Sequence, residues 1–348
     1  MVKKLIANAL VWIFVFALGI VVDIPNVHAI EPLQGKVGPK ALEGGHARHI
    51  QIAEGSTPLV PEGVNDPQCR VTPERPYAVI LAHGTDASLY GDFSKLGAEI
   101  AADGWCTYGI DYGAGKDGRF GWGKIQDSVQ QFDQLIEAAL ATSGAEKVQI
   151  VGFSQGATVA RWWVNKVDQG KRTHAWIGLA SPTRGGNLYG VVPLAQQVPG
   201  LVELVESTGF VAPALLDLMA GSPVMQELNA GGETVPGPAY VTVSTRMDET
   251  MPEWVNQPIY GARTRNIVQQ DLCPENLGGH MYMTYNPTVT ELVRFLLVDW
   301  QNGGNWGELP CHAVPLGAYL PELVVADKLQ KLQPPERRPQ PVIYRTSR

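Results

Sequence analysis

The sequence predicts an α/β protein built on a mostly parallel, doubly wound sheet, with a helical cap inserted between two of its strands. Apolar runs at 77–82, 105–110, 148–151, 175–180, 240–245 and 264–270 alternate with segments of helical period, the rhythm of parallel strands joined by crossover helices. The run at 77–82 is continuously apolar, as expected of a strand covered on both faces. One of them passes through Gly152-Phe153-Ser154-Gln155-Gly156 into a helical segment carrying Val159, Trp162, Trp163 and Val167. A G-x-S-x-G sequence in that setting holds its serine on a sharp, strained turn with the hydroxyl projecting outward. The flanking glycines are needed because a Cβ at either place would clash across the turn.

Each element follows in chain order. Lys3 and Lys4, an apolar stretch at 5–22 and Val27-His28-Ala29 have the layout of a secretory signal peptide at 1–29, cleaved after Ala29. An uncleaved membrane anchor is the alternative reading. Residues 30–71, rich in Gly, Pro and charge without a sustained period, are expected to form an arm wrapping the surface of a main domain at 72–311. The strand at 77–82 ends in His83-Gly84-Thr85. A short helix is expected at 93–102, a strand at 105–110, and a long helix bearing Ile125, Val129, Phe132, Ile136, Ala139 and Leu140 at helical spacing. Residues 181–238 break the rhythm with dense Gly and Pro and two apolar helical stretches, 201–205 and 211–219, read as a cap over the site. The strand at 240–245 runs into Arg246-Met247-Asp248-Glu249, and that at 264–270 into Asp271-Leu272-Cys273. His280 follows in a Gly-Gly-His loop, and a helix at 289–300 closes the domain. Residues 312–348 form an extension, and the Pro- and Arg-rich stretch 333–348 is expected to be poorly ordered.

At a net charge of −7 and with no basic stripe, the chain is not expected to bind nucleic acid. Its 45% apolar and 18% charged residues suit one large core. Four cysteines in an exported chain allow three pairings. Cys69 with Cys106 and Cys273 with Cys311 is favoured, because Cys69 lies just before one strand and Cys106 within the next. No C-x-x-C or H-x-x-x-H spacing suggests a metal site.

A serine hydroxyl attacks well at neutral pH only when an imidazole takes its proton and a carboxylate orients that imidazole. In a doubly wound sheet of this kind the chain order is Ser, acid, His. Of seven histidines, His28 falls in the leader and His46, His49, His83 and His174 precede the acid. His280, between the last strand and the last helix, is a better base than His312. Asp248, directly past a strand end, outranks Glu249 and Asp271. The backbone N–H groups of Thr85 and Gln155 are expected to stabilise an oxyanion. This chemistry is acyl transfer from an ester and needs neither metal nor organic cofactor.

Together these residues resemble the secreted bacterial class 2 triacylglycerol lipases of the α/β-hydrolase superfamily. The resemblance runs over 65–311. Its ordered pieces are N-D-P-Q-C at 65–69, V-I-L-A-H-G-T at 79–85, A-A-D-G-W-C at 101–106, G-F-S-Q-G at 152–156, L-N-A-G-G-E-T-V-P-G at 228–237, T-R-M-D-E at 245–249 and N-I-V-Q-Q-D-L-C-P at 266–274. It implies an α/β-hydrolase fold, a Ser154, Asp248 and His280 triad, Thr85 and Gln155 at the oxyanion hole, and the two favoured disulfides. Phe153 stands where such lipases often have His, and is expected to alter packing behind the elbow without touching the triad; Ala157 follows Gly156. The implied partner is a lipid or other ester substrate, with transient contact at a lipid–water interface and a monomeric chain. An acyltransferase acting on cell-envelope lipids, or a binding protein on an inactive hydrolase scaffold, are the alternatives.

Overall fold

A computed structural model of the protein describes residues 35–54, 58–115, 120–187, 200, 211–299 and 309–318. The expected leader, the 201–205 cap stretch and the 333–348 tail lie outside the described residues.

The main sheet comprises β3 (Ala78–Ala82), β4 (Thr107–Gly109), β5 (Val148–Phe153), β6 (Thr173–Leu179), β7 (Ala239–Ser244) and β8 (Thr264–Val268). They stand in the order β4-β3-β5-β6-β7-β8, and every pairing is parallel. The apolar character of β3, β5 and β7 is explained by this arrangement, since both of their faces are covered, whereas the edge strand β8 is largely half-buried. In β3, Ile80 packs into the core on one face, with Tyr108, Ile150, Phe132 and Trp163. Val79 and Leu81 point into the other, with Val151, Ile177, Val241 and Leu292. Each such side chain, fully buried, contributes about 1.5–3 kcal/mol.

The crossovers lie on both faces. Helices α2 (Leu89–Phe93) and α3 (Leu96–Ala102) bury Leu89, Phe93, Leu96 and Ile100 against the Val79 face. Helix α4 (Ile125–Ser143) buries Val129, Phe132 and Ile136 against the Ile80 face. Helix α5 (Gln155–Trp162) continues through a π-helical turn at Trp163–Asp168. Because β4 and β5 flank β3 on opposite sides, the winding reverses at β3 and β5, and their carboxyl ends open a crevice there.

Several elements differ from expectation. The stretch read as an irregular arm holds a two-stranded parallel sheet, β1 (Lys36–Val37) with β2 (Leu59–Val60), and a helix, α1 (Gly44–Ala53). Its apolar contacts are few but well chosen: Ala41, Ala47 and Leu59 pack with Tyr90 and Tyr285. The helix expected at 93–102 is two, because Ser94 closes α2 before α3 begins. Within the cap region the apolar 211–219 stretch is helical only at α6 (Pro213–Asp217). A second short helix, α7 (Pro223–Asn229), starts where the Ser222 hydroxyl accepts from Met225 N–H at 3.1 Å, a serine cap followed by proline at the first helical position. Strand β8 stops at Val268 and gives way to α8 (Gln269–Leu272), and α9 (Pro287–Asp299) is the closing helix.

Cys69 is bonded to Cys106, with Cα atoms 5.5 Å apart, and Cys273 to Cys311, with Cα atoms 5.1 Å apart.

Candidate active site

The site is assembled by loops leaving the carboxyl ends of β3, β5 and β7, together with the segment between α8 and α9. Ser154 stands at the tip of the β5–α5 turn with φ 52° and ψ −122°, a left-handed conformation that a non-glycine residue keeps only when its surroundings enforce it. Here they do. A Cβ on Gly156 would lie 2.0 Å from Ala82 O in β3, and one on Gly152 would lie 2.6 Å from Ala157 Cα. The turn is therefore clamped between strand and helix, and Ser154 N–H donates to Leu179 O at 2.9 Å.

The structure brings Ser154, His280 and Asp248 together. His280 Nε2 is 3.0 Å from Ser154 Oγ, and His280 Nδ1 is 2.9 Å from Asp248 Oδ2. A carboxylate only accepts, so Nδ1 carries the proton and Nε2 presents its lone pair to the serine. Asp248 is held by three further donors: Thr250 N–H at 3.0 Å and Met251 N–H at 2.6 Å on Oδ1, and the Gln257 side-chain amide at 2.7 Å on Oδ2. Burial opposes a charge on His280, but the Asp248 charge and hydrogen bond outweigh it, with Glu249 and Asp92 adding. The imidazole pKa is raised above its ordinary 6.5.

The runner-up carboxylates do other work. Glu249 accepts from His280 N–H at 2.7 Å and Met281 N–H at 3.0 Å, clamping the backbone of the histidine segment. Asp271 pairs with Arg246 at 2.7 Å on an exposed flank. His312 is exposed beside the Cys273–Cys311 bridge. His174 stacks on Tyr77 with ring centroids 4.0 Å apart, before the start of β3 and so at the opposite end of the sheet. Phe153 departs from expectation: its ring centroid lies 5.1 Å from that of His280 and it lines the cavity, so it touches the base it was expected to avoid.

Thr85 and Gln155 face each other across the β3–β5 crevice, with Thr85 Oγ1 donating to Gln155 Oε1 at 2.6 Å. Before Thr85, His83 is fully buried and stacked on Tyr112 with centroids 4.1 Å apart. Burial pushes its pKa down to about 4, so it stays neutral. Asp92 accepts Gly84 N–H at 2.7 Å, and burial pushes its carboxyl up to about 7; it is half-buried and lines the cavity.

A cavity of about 210 Å³ opens over Ser154 and His280. Leu215 and Leu218 from the cap region, with Met251, Met281 and Phe153, give it an apolar wall; Glu43, Arg48 and Gln51 of the arm line it as well. Among the described residues no cluster of His, Cys, Asp or Glu is arranged to hold a metal ion. Sequence reasoning did not find Gln257, Asp92 or the arm helix, whose contacts arise only when separate loops meet.

Residues 76–292 match the family model described as lipase (class 2). The protein belongs to the class 2 lipase family. Members of that family are hydrolases of lipid esters, and this class 2 lipase has the α/β-hydrolase fold. Among solved structures it is similar to Aspergillus fumigatus lipase B, with 16% identity and a TM-score of 0.54 over 77% of this chain and 69% of that one. It is also similar to the mature form of Bacillus licheniformis lipase BlEst2, with 15% identity and a TM-score of 0.49 over 67% of this chain and 96% of that one. No curated protein matches the sequence.

Proposed function

We propose that this class 2 lipase is a secreted serine hydrolase that cleaves carboxylic ester bonds of lipids through an acyl-enzyme on Ser154. The observation that carries the reading is the unbroken series Ser154 Oγ to His280 Nε2 at 3.0 Å and His280 Nδ1 to Asp248 Oδ2 at 2.9 Å. His280 takes the serine proton as Ser154 attacks the ester carbonyl, and Asp248 keeps the imidazole in the tautomer that can accept it. The N–H groups of Thr85 and Gln155 stabilise the oxyanion, each donor being worth about 3–4 kcal/mol. His280 then protonates the leaving alcohol, and water, activated by the same imidazole, releases the acid. The apolar wall formed by Leu215, Leu218, Met251 and Met281 suits an acyl chain. Two disulfides support a place in an oxidising compartment.

The test is labelling by a fluorophosphonate probe, with turnover of p-nitrophenyl esters of increasing chain length. Stoichiometric labelling that Ser154→Ala removes, with ester cleavage, is expected. Turnover that survives Ser154→Ala, or transfer to added alcohol or glycan exceeding hydrolysis, would overturn the reading.

A further inference from the structure

We propose that Asp92 is a positioning residue whose carboxyl group grips Gly84 N–H and so fixes the loop that aims Thr85 N–H into the site. This deepens the reading above and rests on it, since the role matters only if Thr85 N–H meets an oxyanion.

Gly84 is held on both sides. Its N–H donates to Asp92 Oδ2 at 2.7 Å, and its carbonyl oxygen lies 2.9 Å from His83 Nδ1. The donor in the second contact can be identified. Tyr112 N–H donates to His83 Nε2 at 3.2 Å, so that nitrogen is the acceptor and Nδ1–H gives its proton to Gly84 O. No peptide bond among the described residues is cis, and in a trans peptide the carbonyl and the following N–H point in opposite directions. Pinning Gly84 O on buried His83 therefore turns Thr85 N–H the other way.

One anchor is insufficient at a glycine, whose φ and ψ are the least restricted of any residue. The peptide before Gly84 must be fixed too: the Tyr112 hydroxyl donates to its carbonyl, His83 O, and Asp92 holds its N–H. The helix that carries Asp92 is anchored at its start. The Ser88 hydroxyl accepts from Gly91 N–H at 3.0 Å to cap α2, and Leu89 N–H donates to Asp111 Oδ1 at 2.6 Å. The carboxylate also packs closely against the glycine. A Cβ at position 84 would lie 3.3 Å from the Phe153 ring and in ordinary contact, 3.4 Å, with Asp92 Oδ2. If the Gly84–Thr85 peptide turned over, a carbonyl would face the developing negative charge and one donor would be lost.

Asp92→Ala and Asp92→Asn separate this role from a merely structural one, because the Asn side-chain oxygen can still accept Gly84 N–H. The measurements are kcat and KM on a short p-nitrophenyl ester, the rate of fluorophosphonate labelling, and amide hydrogen exchange of the 83–86 segment. Asp92→Ala should lower kcat about ten- to hundredfold, the loss expected of one weakened oxyanion donor. KM should change little, labelling should slow in parallel, and exchange at Gly84 should speed up. Asp92→Asn should recover most of both losses. A kcat for Asp92→Ala within twofold of wild type overturns the proposal, as does an Asn variant as impaired as the Ala one. If Asp92→Ala does not fold, Asp92→Ser, too short to reach Gly84, takes its place. Wild-type protein that neither takes up the probe nor cleaves esters would sink the hydrolase reading instead. Hydrogen exchange would still decide whether Asp92 holds the loop.

Discussion

Ser154 has the least comfortable backbone in the site, and its φ of 52° is sustained by what presses on either side of it rather than by its own side chain. Removing the hydroxyl should therefore spare the fold. Ser154→Ala is expected to abolish ester turnover while its melting temperature stays within about a degree or two of wild type, as for a substitution that leaves no cavity. Asp248→Asn keeps the shape of the acid but reverses the tautomer preference of His280, and kcat should fall by about four orders of magnitude. The pH dependence has a definite sign. His280 is active as a base only when neutral, and its pKa is raised above 6.5, so kcat/KM should rise with pH through a midpoint above 6.5. Asp92 gives a second, independent sign. Its carboxyl is raised from 3.8 to about 7, so the folded state binds that proton more tightly than the unfolded chain, and stability declines as pH rises between those values. His280, Asp111, Tyr112 and Tyr285 are the titratable groups that sense it. Asp92→Asn should thus melt near wild type at about pH 4 and above it at about pH 8; equal melting temperatures at both pH values would contradict the shift. The main residues of the site were readable because chain order and strand ends mark them. Gln257 and Asp92 were not: one lies nine residues past Asp248 in a loop, the other on a five-residue helix, and neither position has a sequence signature.

Among the elements, the β5–α5 turn is the most tightly determined. Gly156→Ala would force a methyl group to within 2.0 Å of a β3 carbonyl, and neither backbone can yield without breaking the parallel pairing of Ala82 with Gly152. A loss of more than about 3 kcal/mol in denaturant unfolding is expected, at the severe end of overpacking. The middle of the sheet was legible for the same reason that it is stable: strands covered on both faces, such as β3, β5 and β7, are rich in apolar residues, which leaves a clear trace. The arm left none. Helix α1 has a weak apolar stripe and begins with two glycines, and what orders it is contact with Tyr90 and Tyr285, partners remote in sequence. In the cap region, Pro213 and Pro223 start short helices whose lengths were set by tertiary contacts rather than by apolar period.

For the molecule as a whole, one end of the sheet carries the chemistry and two separate stretches of chain, the cap region and the arm, reach over it. The cavity wall at Leu215 and Leu218 should set how much acyl chain is accommodated. Leu218→Trp is expected to move the best substrate in a p-nitrophenyl ester series toward shorter chains, forfeiting about 0.8 kcal/mol for each methylene no longer buried. An unchanged chain-length profile would show that this wall does not contact the acyl group. The bridge between Cys273 and Cys311 also bears on handling the protein. The stretch it encloses contains His280, and Cys311 is open to solvent. Thiol reductants common in laboratory buffers can therefore reach a staple on the stretch that carries His280, so preparations stored in dithiothreitol should dim in activity well before they precipitate.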